Sequence, residues 1–365
     1  VERMKKIVFT VTNDLTYDQR MQKICRSLDN NGYEVQLIGR IRKVSVALTN
    51  EPFKQTRLHC FFTKGKLFYV EYNLRLFLFL LFTHFDGICA IDLDTIVPVY
   101  FSGKLKRAKL FYDAHEYFTE VPEVIGRPVV KKIWEQVEKI FLPRFDKVYT
   151  VSVSLAQLFE KKYNKNVEVI CNAPLFQQPS KKNTESKTLL YQGALNEGRG
   201  LESLIEAMKN IDATLLLAGE GDLSNQLRDL VKQSNLSNKI KFLGFVKPEE
   251  LKTITANATI GINLLENKGL SYYYSLSNKF FDYIHAGVPQ VCISFPEYQN
   301  INRKYQVAIL VEDCAPEKIT TAVNQLLTEQ NFYLQLQKNC EVCARHLNWQ
   351  QEEKKLLALY HDLLG

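Results

Sequence analysis

The feature that most constrains this chain is a β/α alternation that runs once, breaks at a polar segment, and then starts again. KKIVFTV, residues 5–11, is a near-continuous apolar run of the kind buried on both faces in a parallel sheet. Met21, Ile24, Cys25 and Leu28 follow at helical spacing, Gly32 stops that helix, and YEVQLIG is the next strand. DGICAID, KLFYD, DKVYTVS and VEVIC continue the pattern, with helices predicted from Thr95, over 128–142 and over 154–164. CNAPLFQQPSKKNTESK then interrupts it with two prolines and a polar run, the composition of an interdomain linker. KTLLYQG, ATLLLAGEG, IKFLGFV, ATIGINLL and QVCIS supply a second set of strands. Helices near 316–328 and 330–344 and a final amphipathic helix, with Leu356, Leu357, Tyr360 and Leu364 along one side, close the chain. The expected fold class is α/β with two Rossmann-like domains, and 365 residues suffice for both.

Composition narrows the function. A 46% hydrophobic, 24% charged chain is a folded protein, and its net charge of +7 suits an anionic substrate or an acidic membrane surface. No aromatic–basic RNA motif, zinc-finger spacing or basic zipper is present, which counts against nucleic acid. The turn after the first strand, TNDLTYDQR, contains no glycine, which counts against a nicotinamide or flavin enzyme. The N-terminus enters directly into a strand without a signal-peptide pattern, and the eight scattered cysteines read as reduced core residues, so a cytoplasmic location is expected. Cys340 and Cys343 with His346 form a lone C-x-x-C, for which neighbouring helix positions are the default reading and zinc the alternative.

The stretch SYYYSLSNKFFDYIHAGVPQV, residues 271–291, carries the chemistry. It reads as a loop, a short helix capped by Ser277, a stop at Gly287 and Pro289, and a buried strand. Lys279 stands in the first helical turn, where the macrodipole disfavours a cation unless an anion shares the site. Asp282 is expected free to accept hydrogen bonds from a ribose; the bland reading makes the two an exposed i,i+3 ion pair. QGALNEGRG, residues 192–200, lies between strand and helix, where its glycines let backbone approach an anion and Arg199 can reach it. In the first half, Asp92 and Asp94 end one strand and His115 and Glu116 follow another, at the sheet edge where α/β proteins collect ligands. The aspartates read as cleft or helix-cap residues, with metal binding as the alternative. Residues 40–58 look like an open basic segment, and 67–84 like a helix with a wide apolar face, buried on the sheet or touching lipid.

These motifs, in this order, resemble the retaining glycosyltransferases of family 4 (glycosyl transferases group 1), which share the GT-B fold of two Rossmann-like domains facing across a cleft. The resemblance is strongest at residues 110–124, 189–206 and 271–291. It implies an acceptor domain over 1–173, a nucleotide-sugar domain over 174–345 and a C-terminal helix, 346–365, returning to the first domain. By resemblance, His115 lies beside the donor sugar with Glu116 where Asp is commoner, Arg199 stands where a Lys holds the diphosphate, and Asp282 holds the ribose; Lys279, which no family motif matches, is inferred to supply the second diphosphate cation. Gly193, Ser275, Ser277 and Asn278 line the donor site, Gly244, Phe245 and Val246 meet the base, and Asn172 and Pro174 match the junction Asn-x-Pro. Tyr274 stands where a Glu usually meets the sugar, and Ala194 where an Arg is usual. The implied reaction is cofactor-free transfer from a nucleoside-diphosphate sugar to a glycan, lipid-linked or small-molecule hydroxyl; the cations and helix ends of the diphosphate site predict that it needs no metal, and segments 40–58 and 67–84 predict weak contact with anionic membrane. A GT-B nucleotide-sugar epimerase and a non-catalytic binding subunit are the alternatives.

Overall fold

The computed structural model describes residues 3–43, 45–177 and 187–365. It divides into two compact units, Val1–Asn172 with Glu352–Gly365, and Ala173–Gln351. The polar run 178–186, the centre of the expected linker, lies outside the described residues.

The first unit holds a seven-stranded sheet of order β3-β2-β1-β4-β5-β6-β7. Its strands are β1 Lys6–Thr10, β2 Glu34–Arg40, β3 Lys54–Leu58, β4 Gly87–Ile91, β5 Lys109–Ala114, β6 Lys147–Thr150 and β7 Val167–Val169, all pairing in parallel. Ile7, Val8, Phe9, Ile88, Cys89 and Ala90 are fully buried, as strands covered by helices on both faces require. From the final helix, Trp349–Leu364, Tyr360 stacks on Phe111 with ring centroids 4.2 Å apart and shares a 3.1 Å hydroxyl contact with Tyr149.

Residues 40–58 are only in part the open basic segment expected: 41–43 and 45–53 are irregular, with Arg42 and Lys43 exposed, but Arg40 and Lys54–Leu58 lie in strands. Lys54–Leu58 is an edge strand that pairs only with β2, so it folds with a single buried flank and a polar sequence. Arg57 donates to the Asp14 and Val46 carbonyls and the Thr16 hydroxyl, and the buried Arg40 guanidinium lies 3.8 Å above the Phe68 ring. These cations brace loops.

The second unit holds a six-stranded parallel sheet of order β10-β9-β8-β11-β12-β13. Its strands are β8 Thr188–Gln192, β9 Thr214–Ala218, β10 Ile240–Gly244, β11 Ile260–Asn263, β12 Gln290–Ile293 and β13 Ala308–Val311. The chain leaves β8 toward β10 on one side and continues from β11 toward β13 on the other. The strand order therefore reverses between β8 and β11, the position where open α/β sheets bind ligands at their carboxyl ends. One glycine makes the helix–sheet contact here possible. Tyr283, fully buried, donates to the Leu190 carbonyl at 2.8 Å and lies flat over Gly261, where a Cβ would meet its ring at 2.4 Å. The helix that carries Lys279 is seated on the sheet by that missing side chain.

Candidate functional site

At the β8–β11 switch point, three loops converge. The loop after β8 contains Gly193, which donates its N–H to the Ala218 carbonyl at 2.9 Å. Gly219 comes so close that a Cβ there would fall 1.9 Å from the Gly193 oxygen, and both glycines have positive φ, 131° and 149°. Only glycine fits such an approach. At Gly221 a Cβ would lie 2.2 Å from the Asn196 Oδ1, which accepts the Asp222 N–H. The turn 219–221 is thus the wall against which the 192–200 loop is shaped.

Lys279 is the second residue of the helix Asn278–His285 and is 8% exposed. Its ammonium sits 4.1 Å from the centroid of the Tyr191 ring, at the end of β8, and a Cβ on Gly193 would be 3.8 Å from it. It is not half of an exposed pair with Asp282. Burial, reinforced by the charge of Arg199, pushes Lys279 down to about 7. Arg199 follows the same loop, its guanidinium 4.9 Å from the Tyr272 ring, with a buried Nε that has no hydrogen-bond partner among the described residues. Two cations thus share one small space floored by aromatic faces, an arrangement that an anion would relieve.

Asp282 is not free either. Its Oδ2 accepts from Gln192 Nε2 at 2.8 Å, and Gln192 Oε1 accepts the Thr255 hydroxyl at 2.7 Å. The chain Thr255–Gln192–Asp282 fixes the carboxylate in place at the end of β8. Ser277 stands at the N-cap, but its hydroxyl donates to Asn263 Oδ1 at 3.0 Å rather than capping, and its N–H donates to the Tyr298 hydroxyl at 3.1 Å. The buried Asn263 outcompetes the helix for it, so the first turn lacks a side-chain cap. Ser275 donates to the Tyr272 carbonyl, and Asn278 is exposed. Residues 270–273 form a one-turn helix instead of the expected loop, and Tyr274 at its end packs edge-on against Tyr273, ring centroids 5.1 Å apart. Ala194 contributes its carbonyl, which accepts the Tyr191 hydroxyl at 2.9 Å. Gly244 takes φ 68° next to an exposed Phe245, while Val246 packs inward against a core of Leu190, Ala218, Ala258, Tyr283 and Val288.

The first unit gathers a second polar group at its own switch point, between β1 and β4. His115 Nε2 lies 3.1 Å from Asp113 Oδ2, and the His115 N–H donates to Asp92 Oδ1 at 2.9 Å. Asp113, wholly buried, also receives a bidentate grip from the buried Arg20, at 2.8 and 3.2 Å. Burial works against a charged imidazole, but Asp113 outweighs it and holds His115 up at about 8. Arg20 and His115 in turn hold Asp113 below its usual range despite burial. Asp92 takes the left-handed φ of 56°, a strained position of the sort found at functional sites. Burial raises its carboxyl to about 8 and that of Asp94 to about 6. Asp94 accepts the Thr12 hydroxyl; Asp92 stands at the N-cap position of the short turn Leu93–Thr95, but its carboxylate takes the His115 N–H instead of capping it. Glu116 is exposed. Among the described residues no cluster of three or more His, Cys, Asp or Glu side chains is placed to hold a metal. The Cys340 thiol packs inward on the Val288 and Val307 carbonyls of other segments, while the His346 ring turns back to the Val342 carbonyl one helical turn earlier.

Arg20, Asp113, Gln192, Tyr191 and Tyr272 escape sequence reasoning. The only local signals are a charge on an apolar helix face, at Arg20, and one inside a buried strand, at Asp113.

Comparisons with known proteins bear on the fold and the family. Residues 172–342 match the family model described as glycosyl transferases group 1. Uncharacterized glycosyltransferase MJ1607 of Methanocaldococcus jannaschii is 28% identical over 223 residues, which is 60% of this chain and 55% of that protein. The chain spans about half the length of the curated relatives it matches. Sucrose-phosphate synthase from Thermosynechococcus elongatus superposes with a TM-score of 0.81 at 16% identity over 99% of both chains. Anabaena Alr3699/HepE, solved in complex with UDP and glucose, gives a TM-score of 0.78 at 12% identity, covering 98% of this chain and 100% of the other. The protein therefore has the α/β GT-B fold, and its match to the glycosyl transferases group 1 model lies within residues 172–342.

Proposed function

We propose that this protein transfers a sugar from a nucleoside-diphosphate sugar to a hydroxyl acceptor, with retention and without a metal. The observation that carries the reading is the paired Arg199 and Lys279 at the β8–β11 switch point, both lacking a carboxylate counter-charge in the ion pairs and charge contacts described. As the glycosidic bond breaks, negative charge builds on the departing diphosphate. Fixed cations in a site shielded from water stabilise it most at that moment, the role a divalent ion plays elsewhere. Asp282, held by Gln192, is assigned to the ribose by the family likeness, and the exposed Phe245 beside Gly244 offers a face to a base. UDP is bound by the similar Alr3699/HepE, which makes it the first donor nucleotide to try. His115, held cationic by Asp113, is assigned to the donor sugar by the family likeness. Retention rests on that likeness too. A glycan or lipid-linked acceptor fits the family, and a lipid-linked one would bring the protein to a membrane surface.

The test is kinetic. Arg199→Ala and Lys279→Ala should each lower kcat by about a hundredfold, the loss typical of one oxyanion-type contact. Asp282→Ala should weaken nucleotide binding instead. Chelator should leave activity intact. Near-normal kcat in both cation variants means the diphosphate lies elsewhere. Conversion of a nucleotide sugar to an isomer without acceptor would favour an epimerase, and donor binding with no turnover a non-catalytic subunit.

A further inference from the structure

The helix Gly65–Leu81 in the first unit is apolar on two opposite faces, and the fold uses only one. Phe68, Tyr72, Leu76 and Leu80, spaced by four, are buried against the sheet. Leu67, Val70, Leu74 and Leu78 lie on the opposite side and are 48 to 67% exposed, with Phe82 just beyond the helix end at 92%. At 1.5 Å per residue this outer stripe runs roughly 20 Å. The packed neighbour helix Ile96–Lys106 leaves Phe101 and Leu105 exposed as well. Contiguous apolar surface of this kind is uncommon on a face that only meets water.

The patch is also built. Glu71, the helix's one acidic residue, accepts the backbone N–H groups of Phe61 and Phe62 at 2.9 Å each and the Arg75 Nε at 2.8 Å. Arg75 in turn lies 5.0 Å from the Phe61 ring centroid. One carboxylate is thereby neutralised, and the preceding loop is clamped so that Phe61, 87% exposed, stands out beside the stripe. Around it, Lys64, Lys66, Lys104 and Arg107 are exposed.

We infer that the outer face of Gly65–Leu81, with Phe61 and Phe82, is a docking surface for an anionic lipid bilayer. Charge complementarity selects this occupant. An apolar centre ringed by cations matches acyl chains beneath acidic headgroups. A second copy docking through the same patch would bring two basic rims face to face. No helix among the described residues is long and apolar enough to cross a membrane, so this one lies on the surface. The inference deepens the membrane-facing part of the proposed function, but its test reads binding without turnover, so either can fail alone.

The experiment is vesicle sedimentation of the full chain with phosphatidylcholine vesicles, with and without about a third phosphatidylglycerol. Expected is at least tenfold tighter binding to the anionic vesicles, falling about tenfold between low and high salt. Leu74→Asp with Leu78→Asp should reduce binding at least tenfold while leaving melting temperature and nucleotide binding unchanged, since both side chains are outside the core. Lys64→Ala with Lys66→Ala is a second variant that cannot disturb the core, and it should lower anionic binding several-fold. No pelleting at low salt, or undiminished pelleting of both variants, overturns the inference. So does a dimer in solution that the Leu74/Leu78 variant dissolves, which would give the patch to self-association.

Discussion

Lys279 offers the sharpest prediction because its charge is expensive in the empty site. It is 8% exposed, and the groups described as acting on it, Arg199 and Cys292, include no carboxylate. A lysine held near 7 instead of its ordinary 10.5 carries a penalty of about 5 kcal/mol when forced to stay protonated, at 1.36 kcal/mol per pH unit. The sign follows from proton counting. Between about 7 and 10.5 the unfolded chain binds a proton that the folded one does not, so stability rises with pH through that window. Below about 7 the full penalty applies; above 10.5 it has vanished. Lys279→Met should therefore be more stable than the parent at pH 6, by up to a few kcal/mol, and lose that advantage toward pH 10. A bound diphosphate reverses the argument by supplying the missing counter-charge. At pH 8 Lys279 is largely neutral without ligand, and a bound diphosphate favours its charged form, so UDP should bind with net proton uptake. Titration calorimetry in buffers of different ionisation enthalpy measures this directly. Binding enthalpy independent of buffer at pH 8, or proton uptake that survives in Lys279→Met, would refute the reasoning.

Two further variants probe the scaffold around each switch point. Asp113→Asn removes the charge that holds His115 at about 8, so the imidazole should titrate near or below 6.5 by NMR and kcat at pH 7 to 8 should fall, with nucleotide affinity unchanged. The stability His115 contributes in the parent is complete below about 6.5 and lost as pH rises through about 8, and the variant should lack that fall. Gly261→Ala places a methyl 2.4 Å from the Tyr283 ring and should cost about 1–3 kcal/mol, read as a lowered melting temperature. Unchanged melting would mean that the helix bearing Lys279 is not seated as described.

What could be read from sequence, and what could not, divides along physical lines. Buried parallel strands such as IVFT and GICAI announce themselves because both faces must be apolar, and Lys279 stands out because its place in a first turn contradicts the helix dipole. β3, KQTRL, is silent because an edge strand needs one partner and little apolar surface. The helix Ser224–Gln233 is likewise faint, having only Leu227, Leu230 and Val231 to mark its inner side. The partners that set the chemistry are the hardest to foresee. Gln192 meets Asp282 across 90 residues and Arg20 meets Asp113 across 93. Such pairs leave no periodicity, since each is made by the strand order bringing two chain segments to one edge. The same reasoning explains why sequence leaves open whether the wide apolar face of Gly65–Leu81 is core or surface. Hydrophobic spacing shows that a helix has apolar faces, but only the packed neighbours decide which of them the fold has covered.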